Sequence, residues 1–204
     1  MQSWPLLHNE MKRLFDILFS AVLILVLLPL GMVVSIWIVL DDFGSPFFVQ
    51  QRVGLNGRNF GLLKFRSMRK NAESKGQLTV GMKDNRITRS GYFIRKYKID
   101  ELPQLVNVFL GEMSVVGPRP EVPKYVLLYN EEQQNVLSIK PGITDFASIE
   151  YVRENELLSQ SPNPEKTYIE EIMPAKLALN LKYVCEQSFL TDMKIILQTI
   201  KAIL

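Results

Sequence analysis

The chain has 204 residues, of which 47% are hydrophobic, and its 24 Lys and Arg against 21 Asp and Glu give a formal net charge of +3. This length allows one catalytic domain and one membrane element but not two large domains. The composition is too apolar for a disordered chain and too weakly basic to indicate nucleic-acid binding, so no nucleic-acid partner is expected.

Cysteine and histidine are nearly absent from the chain. Cys185 is the only cysteine, so a disulfide framework is excluded, and its side chain is expected to be buried as a small apolar group. His8 is the only histidine, which argues against histidine base chemistry and histidine-rich metal sites. Any chemistry must therefore rely on carboxylates, lysines and arginines.

An uncharged apolar segment occupies residues 17–40. A helix of this length would be about 36 Å long, enough to cross a bilayer core. Pro29 lies near its middle, and proline kinks or breaks a helix. The segment therefore forms either a kinked spanning helix or a re-entrant helix that breaks at Pro29 and leaves on the side it entered. The chain is therefore divided into an N-terminal membrane part, residues 1–42, which contains this segment, and a second domain, residues 43–204.

The charges that flank this segment bear on the choice. Lys12 and Arg13 precede it, and six further cations follow within 30 residues: Arg52, Arg58, Lys64, Arg66, Arg69 and Lys70. Basic flanks prefer the cytoplasm, so two basic flanks favour the re-entrant path. Kinked spanning helices are nevertheless common, and the residues alone leave both architectures open.

The first part of the following domain has the pattern of a β-hairpin. Residues 46–53 and 59–68 are strand-like, and Leu55-Asn56-Gly57-Arg58 lies between them. Asn-Gly is a strong hairpin signal because both residues tolerate positive φ. Residues 70–90 are polar and glycine-containing, which predicts a mobile surface loop.

Residues 100–110 are predicted to form an amphipathic helix. Asp100 has the position of an N-cap, Pro103 falls in the first turn, and Gly111 closes the end. Farther along, residues 121–137 and 165–184 are predicted helices and residues 140–144 a turn. The tail, residues 189–204, is an amphipathic helix that could lie on a membrane or pack in the core. The expected fold class is α+β, mainly helical.

The pair Asp100-Glu101 is the candidate catalytic group. A carboxylate at a helix N-terminus would be kept ionised, as a nucleophile must be, although capping alone could also explain it. Lys64, Arg66, Arg95 and Arg119 are candidate phosphate ligands, with Pro118 and Pro120 stiffening the backbone around Arg119. A solvated strand face or lipid headgroups could also explain Lys64 and Arg66.

Several spaced motifs resemble, in order, those of the bacterial sugar transferase family, the small monotopic phosphoglycosyl transferases. They are Lys64-Phe65-Arg66-Ser67-Met68, residues 99–105, Asn107-Val108, Gly111-Glu112-Met113-Ser114, Val116-Gly117-Pro118-Arg119-Pro120 and Lys140-Pro141-Gly142-Ile143-Thr144. The resemblance implies a re-entrant helix–break–helix at Pro29 and a small cytoplasmic catalytic domain with interfacial amphipathic helices. Two positions depart from the family pattern: Leu28 stands where serine often precedes the proline, and Asp145 where glycine often follows Thr144.

The resemblance also implies an activity and its partners. Asp100 would attack the β-phosphate of a UDP-sugar, release UMP, and hold a phosphosugar until undecaprenyl or another polyprenyl phosphate accepts it, which begins glycoconjugate assembly. Mg²⁺, held by Asp100 and Glu101, is the implied cofactor, and Lys64, Arg66, Arg95, Pro118 and Arg119 would bind substrate. The lipid bilayer, downstream glycosyltransferases and a second copy of the chain are further candidate partners, at the bacterial cytoplasmic membrane.

Two alternatives make different predictions. A non-enzymatic membrane-anchored module that binds acidic lipids would tolerate loss of the Asp100 carboxylate and would not require Mg²⁺. A one-step enzyme would use Asp100 only as a base, and no covalent phosphosugar would form.

Overall fold

The computed structural model describes residues 4–70, 72 and 84–203, and it is an α+β structure with mostly helical content. One long helix, α1 (Trp4–Asp42), precedes a domain of two small sheets and many short helices. Most of the predicted surface loop, residues 71 and 73–83, lies outside the described residues.

Helix α1 contains the predicted membrane segment. Its part Glu10–Asp42 has a mean hydropathy of 2.9, and 11% of its most apolar stretch is buried against the rest of the chain. Leu25, Val26, Ile36 and Leu40 are each more than 60% exposed. By length and composition this helix could cross a membrane. Its exposure distinguishes it from the core helix of a soluble domain.

The helix break predicted at Pro29 is wrong at the level of secondary structure. Helix α1 continues through Pro29 from Trp4 to Asp42. A proline removes one N–H donor and crowds one carbonyl in the preceding turn, whereas the residues on either side keep their helical hydrogen bonds. In this segment those bonds outweigh the local loss.

Strands β1 (Phe47–Val53) and β2 (Asn59–Phe65) form the predicted hairpin. They pair antiparallel, with Phe47 opposite Phe65 and Val53 opposite Asn59. Asn56 and Gly57 have φ values of 54° and 74°, the left-handed conformation expected for this dipeptide. The second strand ends at Phe65, so Arg66 lies just beyond it.

The carboxylate pair lies on a tight turn and not at the start of the predicted helix. Helix α2 (Arg89–Lys96) is followed by a 3₁₀ turn, Ile99–Glu101, and then by α3 (Gln104–Leu110). The prediction that Asp100 caps α3 is therefore wrong, and the N-cap position is occupied by Pro103. Lys98, with φ 57°, reverses the chain before the turn. Gly111 ends α3 with φ 90°, as predicted.

A second, parallel sheet follows α3. It pairs β3 (Ser114–Val116) with β4 (Gly142–Thr144), where the sequence predicted only a turn. A Cβ atom on Gly142 would lie 2.1 Å from the Gly117 nitrogen, so only glycine allows the two backbones to approach this closely. Tertiary pairing thus extends a segment whose local sequence favours turning.

The remaining elements are short helices that end in two longer ones. The predicted helix over residues 121–137 is divided, because Asn130 starts a new helix with a capping box. The elements are α4 (Pro123–Val126), α5 (Glu131–Gln134), a 3₁₀ turn Asn135–Ser138, α6 (Phe146–Glu150), α7 (Glu154–Gln160), α8 (Pro164–Thr167), a π-helical turn Tyr168–Ile172, α9 (Met173–Glu186) and α10 (Phe189–Ile203).

Three buried clusters hold these elements together. The first packs Tyr125, Leu158 and Leu177 between α4, α7 and α9. The second joins the hairpin, α3, α9 and α10, with Val108, Met113 and Ile195 fully buried. The third docks the C-terminal half of α1 and consists of Val34, Ile38, Phe65 and Ile94.

The C-terminal helix α10 has both buried and exposed apolar residues. Ile195 is fully buried, whereas Leu190, Leu197 and Ile200 are at least half exposed and lie at helical spacing on one side of α10. One face of α10 therefore packs in the core, as one of the two alternatives predicted, and another apolar face is exposed. Cys185, predicted to be buried, is exposed.

Asn107 connects α3 to the hairpin, and its replacement by leucine is expected to destabilise the protein by about 2–3 kcal/mol. Its Oδ1 accepts a hydrogen bond from the Leu63 nitrogen at 3.0 Å, and its Nδ2 donates to the Gly61 carbonyl at 2.8 Å. Asn107→Leu would leave both backbone groups without this partner. Denaturant unfolding measures the loss, with the exposed Asn135→Leu as control; equal stability of the two variants would contradict this role.

Candidate active site

A cleft of about 640 Å³ opens between the hairpin, the 3₁₀ turn and the helices α6, α7 and α9. Six of the seven predicted site residues line it: Lys64, Arg66, Arg95, Asp100, Glu101 and Arg119. Pro118 does not. The structure thus brings together residues that lie up to 55 positions apart, from Lys64 to Arg119.

Asp100 lies deep in this cleft with an uncommitted carboxylate. Its residue is 8% exposed, and within the described residues no hydrogen bond reaches its side chain. Burial raises the pKa of Asp100 most, and the negative charge of Glu101 raises it further. The positive charges of Arg95, Lys64 and Arg119 oppose this rise. The prediction that a helix N-terminus keeps this carboxylate ionised is therefore wrong; the surrounding cations favour the charged form.

Glu101 differs from its neighbour because it is already paired. Its carboxylate accepts a hydrogen bond from the Arg119 guanidinium. Burial alone would raise the pKa of Glu101, but the charges of Arg119 and Lys64 outweigh burial and lower it to about 2. Glu101 in turn raises the pKa of Arg119. Among the described residues, Glu101 is thus committed to an ion pair, whereas the Asp100 carboxylate has no hydrogen-bond or ion-pair partner.

Arg119 is held in place through its backbone. Its amide nitrogen donates to Asp145 Oδ2 at 3.2 Å, and its Nη1 lies 3.5 Å from the Ile143 carbonyl. Pro118 is buried, and its carbonyl accepts from the Gly142 nitrogen at 2.9 Å. Pro118 therefore positions Arg119 and does not itself face the cleft.

Asp145, the departure from the family pattern, now has a structural role. It is fully buried, and its Oδ1 caps helix α6 by accepting from the Ser148 nitrogen at 2.6 Å. Its other oxygen accepts from the backbone of Arg119, as described above. Asp145 therefore joins the start of α6 to the catalytic cleft.

The other predicted cations carry unused donors. Arg66 is 8% exposed and has one ion-pair contact, to Asp42 at 3.5 Å. In the part of the chain that the structure describes, Arg66 Nε and Arg95 Nε are buried without a hydrogen-bond partner. Lys64 Nζ donates to Gln50 Oε1 at 3.2 Å. Buried donors of this kind are suited to phosphate oxygens.

Sequence reasoning missed a second polar network in the cleft. Arg52 Nη1 donates to Glu121 at 3.2 Å and to the Pro120 carbonyl at 2.9 Å, and the Tyr168 hydroxyl also donates to Glu121. Gln50 and Arg52 lie two residues apart on β1 and share a face of the strand. The two-residue period of a strand, applied to residues 46–53, is the sequence signal that could have pointed to Arg52.

The donor set of the cleft fits Mg²⁺ in one particular way. Among the described residues, no group of three or more His, Cys, Asp or Glu could hold a metal alone. Mg²⁺, however, commonly binds one or two carboxylates together with substrate phosphates. Asp100 and the neighbouring Glu101 supply carboxylate oxygens of this type. Mg²⁺ binding therefore fits these residues and stays a prediction.

Lys64 gives the site a pH dependence that stability measurements can detect. The pKa of Lys64 is lowered from 10.5 to about 7, mainly by burial and secondly by the positive charge of Arg52. Between these values the unfolded chain binds the proton and the folded chain does not, so stability rises with pH. The melting temperature of the wild type should therefore rise relative to that of Lys64→Met from pH 7 to pH 10. The exposed Lys194→Met should follow the wild type; parallel curves for Lys64→Met would contradict the shift.

A free buried carboxylate, a paired neighbour and several cations in one cleft are typical of an enzyme that handles anionic substrates. A family model described as bacterial sugar transferase matches residues 7–204. The chain belongs to this family, and it is a transferase. Membership of a transferase family contradicts the alternative of a non-enzymatic lipid-binding module.

Relatives of this chain include both short and long proteins. The uncharacterized sugar transferase EpsL of Bacillus subtilis is 40% identical over 195 residues, which cover 95% of this chain and 87% of EpsL. An undecaprenyl-phosphate glucose phosphotransferase of Komagataeibacter xylinus is 38% identical, over 98% of this chain but 36% of that protein. A UDP-N-acetylgalactosamine-undecaprenyl-phosphate N-acetylgalactosaminephosphotransferase of Aeromonas hydrophila is 34% identical, over 97% of this chain and 44% of that protein.

Proposed function

We propose that this enzyme transfers a sugar 1-phosphate from a UDP-sugar to undecaprenyl phosphate, a membrane step of glycoconjugate biosynthesis. The observation that carries the proposal is the buried, unpaired carboxylate of Asp100 among the cations of the cleft. The names of the Komagataeibacter and Aeromonas relatives support the substrate classes.

In the first step, a carboxylate oxygen of Asp100 attacks the β-phosphorus of the UDP-sugar. The bond from this phosphorus to the bridging oxygen breaks, the oxygen keeps the electron pair, and UMP leaves. The product is an aspartyl phosphosugar. A carboxylate that is largely buried and accepts no hydrogen bond from the described residues has less solvation to lose before it attacks than one on the surface.

In the second step, a phosphate oxygen of undecaprenyl phosphate attacks the same phosphorus. The bond to Asp100 breaks, its carboxylate is regenerated, and undecaprenyl diphospho-sugar is released. Both steps bring anionic groups together, so the cations of the cleft must neutralise charge that develops during transfer.

The geometry suggests a role for each charged residue. Arg119, Lys64, Arg66 and Arg95 would bind phosphate oxygens, and Glu101 would orient Arg119 through their ion pair. This role would be additional to the expectation that Glu101 helps to hold the metal. Mg²⁺, when bound at the carboxylates, would neutralise part of the diphosphate charge.

The second part of the proposal is that α1, although it is not broken at Pro29, enters and leaves the membrane on the same side, and the contacts of both its ends support this. Near the start, Arg13 Nη1 donates to the Val108 carbonyl at 2.7 Å. Near the end, Asp41 accepts from the Ser90 nitrogen and hydroxyl, both at 2.8 Å. Both ends therefore hold the same domain, and a bilayer could not separate them without dividing that domain.

The cleft would then lie at the cytoplasmic face of the bacterial inner membrane, between a soluble and a lipid substrate. The exposed apolar face of α10 could rest on the same surface. Downstream glycosyltransferases, which would extend the lipid-linked sugar, and a second copy of the chain remain predicted partners.

Single-cysteine labelling tests the topology. In a Cys185→Ser background, Glu10→Cys and Ser45→Cys place one exposed thiol on each side of the apolar segment. A membrane-impermeant maleimide should leave both unlabelled in intact spheroplasts and label both after permeabilisation. Labelling of one thiol in intact spheroplasts would place the flanks on opposite sides and overturn the re-entrant path.

Trapping tests the two-step reaction. The protein is incubated with Mg²⁺ and a panel of UDP-sugars without lipid acceptor, and its intact mass is measured. One of these donors should add the mass of a phosphosugar and release one equivalent of UMP. UMP release that requires the lipid acceptor, without any adduct, would favour the one-step mechanism with Asp100 as a base.

A further inference from the structure

One part of the cleft wall differs in chemistry from the cationic part. It is formed by α6, α7 and α9 and includes Ser148, Tyr151, Asn180 and Lys176. The charge of Lys176 is balanced there by Glu154 at 2.7 Å. An uncharged part of a substrate suits this wall better than its phosphates do.

Two buried polar groups in this wall have unused hydrogen-bonding capacity. Asn180 is 5% exposed, and within the described residues neither its Oδ1 nor the buried Ser148 Oγ has a hydrogen-bond partner. A buried polar atom without a partner costs folding free energy, so its presence in a cleft indicates that a ligand completes it. An asparagine amide can present its donor and its acceptor in either orientation.

Hydrogen bonds connect Ser148 to the phosphate-binding residue Arg119, and Asn180 lines the same cleft. Asp145 binds the backbone of Arg119 with one carboxylate oxygen and the first turn of α6, at the Ser148 nitrogen, with the other. Because Arg119, Ser148 and Asn180 line one cleft, a diphosphate held by Arg119 would direct one of its uncharged substituents, either the sugar or the nucleoside, toward Ser148 and Asn180.

We propose that the Ser148–Asn180 wall binds the uracil base of the UDP-sugar, with Asn180 pairing with the imide edge; this rests on the proposed function. In the uracil ring the N3–H lies beside a carbonyl, so one carboxamide can bond both. In an acetamido group the N–H and C=O point in opposite directions across a trans amide, so one carboxamide cannot. The adjacent donor and acceptor of Asn180 therefore match uracil better than an N-acetyl sugar.

Equilibrium binding to the full-length protein tests this assignment without turnover. The wild type should bind UDP at least about tenfold more tightly than N3-methyl-UDP, which lacks the imide proton. Asn180→Leu should bind UDP about tenfold more weakly and lose this discrimination, and Ser148→Ala should show a smaller loss. The exposed Asn135→Leu is the matched control and should keep the wild-type affinities.

Thermal unfolding separates binding from structural roles. Because Asn180 Oδ1 is unpaired, Asn180→Leu should melt at or above the wild-type temperature while UDP binding weakens. If Asn180→Leu does not fold, the affinities of the wild type for UDP and for N3-methyl-UDP decide whether the uracil assignment is correct. Equal wild-type affinities for the two nucleotides overturn the uracil assignment, as does unchanged UDP binding by Asn180→Leu.

Turnover with different donors distinguishes the remaining outcomes. A rise in KM of Asn180→Leu for N-acetylated donors only would assign the wall to the sugar and overturn the proposal. Failure of the proposed function would show separately, as an absence of phosphosugar transfer from every UDP-sugar tested with the wild type.

Discussion

Replacement of Asp100 by asparagine is expected to lower phosphosugar transfer by at least about a thousandfold. The amide oxygen of asparagine is uncharged, a poor nucleophile, and cannot form the acyl phosphate that the second step consumes. The stability of the folded protein should not decrease. Burial raises the pKa of Asp100, so the ionised carboxylate is costly to bury, and the neutral amide should leave the melting temperature unchanged or higher.

Three measurements on the same preparation examine this expectation. They are the rate of UMP release with lipid acceptor, the intact mass after incubation with donor alone, and the melting temperature. Glu165→Gln changes another carboxylate to an amide at an exposed ion pair with Lys124 and should retain full activity. An Asp100→Asn protein that still accumulates the phosphosugar adduct would show that another residue is the nucleophile.

Replacement of Arg119 by methionine should lower transfer by about a hundredfold to a thousandfold, because a preorganised cation at the transferring phosphate is lost. The same change also affects stability. The charge of Arg119 has the largest of the effects that lower the pKa of Glu101 to about 2 against the effect of burial. Without Arg119, the pKa of Glu101 should rise.

The direction of the pH effect follows from this pKa. The folded value of about 2 lies below the usual value of 4.5, so the ion pair stabilises the wild type fully above pH 4.5 and loses this contribution as the pH falls toward 2. The Arg119→Met protein should therefore be less stable than the wild type at pH 7, and the difference should narrow below pH 4.5.

Melting temperatures across pH 3–8, together with UMP release at pH 7, measure both effects. Arg58→Met removes an exposed arginine from the hairpin loop and is the matched control. Its activity and its pH dependence should follow the wild type. A difference between Arg119→Met and wild type that stays constant down to pH 3 would mean that Glu101 is not held ionised by Arg119.

Local sequence determined the features that depend on a few neighbouring residues. Asn56-Gly57 predicted the hairpin because its backbone requires positive φ, and Gly111 predicted the end of α3 for the same reason. The ordered motifs contain five of the six predicted site residues that line the cleft, and Arg95 lies outside them. They also carried the assignment to the transferase family, since motif order and spacing are themselves properties of the sequence.

The tertiary structure decided everything that depends on residues distant in the chain. Asp100 lies on a 3₁₀ turn and is buried, so its pKa is raised, whereas local reasoning had placed it at a helix end that would lower the pKa. The pairing of Glu101 with Arg119 and the placement of Ser148 and Asn180 in one cleft also depend on the fold. Burial and charge–charge interactions depend on distance in space, and sequence periodicity reports only the geometry of one helix or strand.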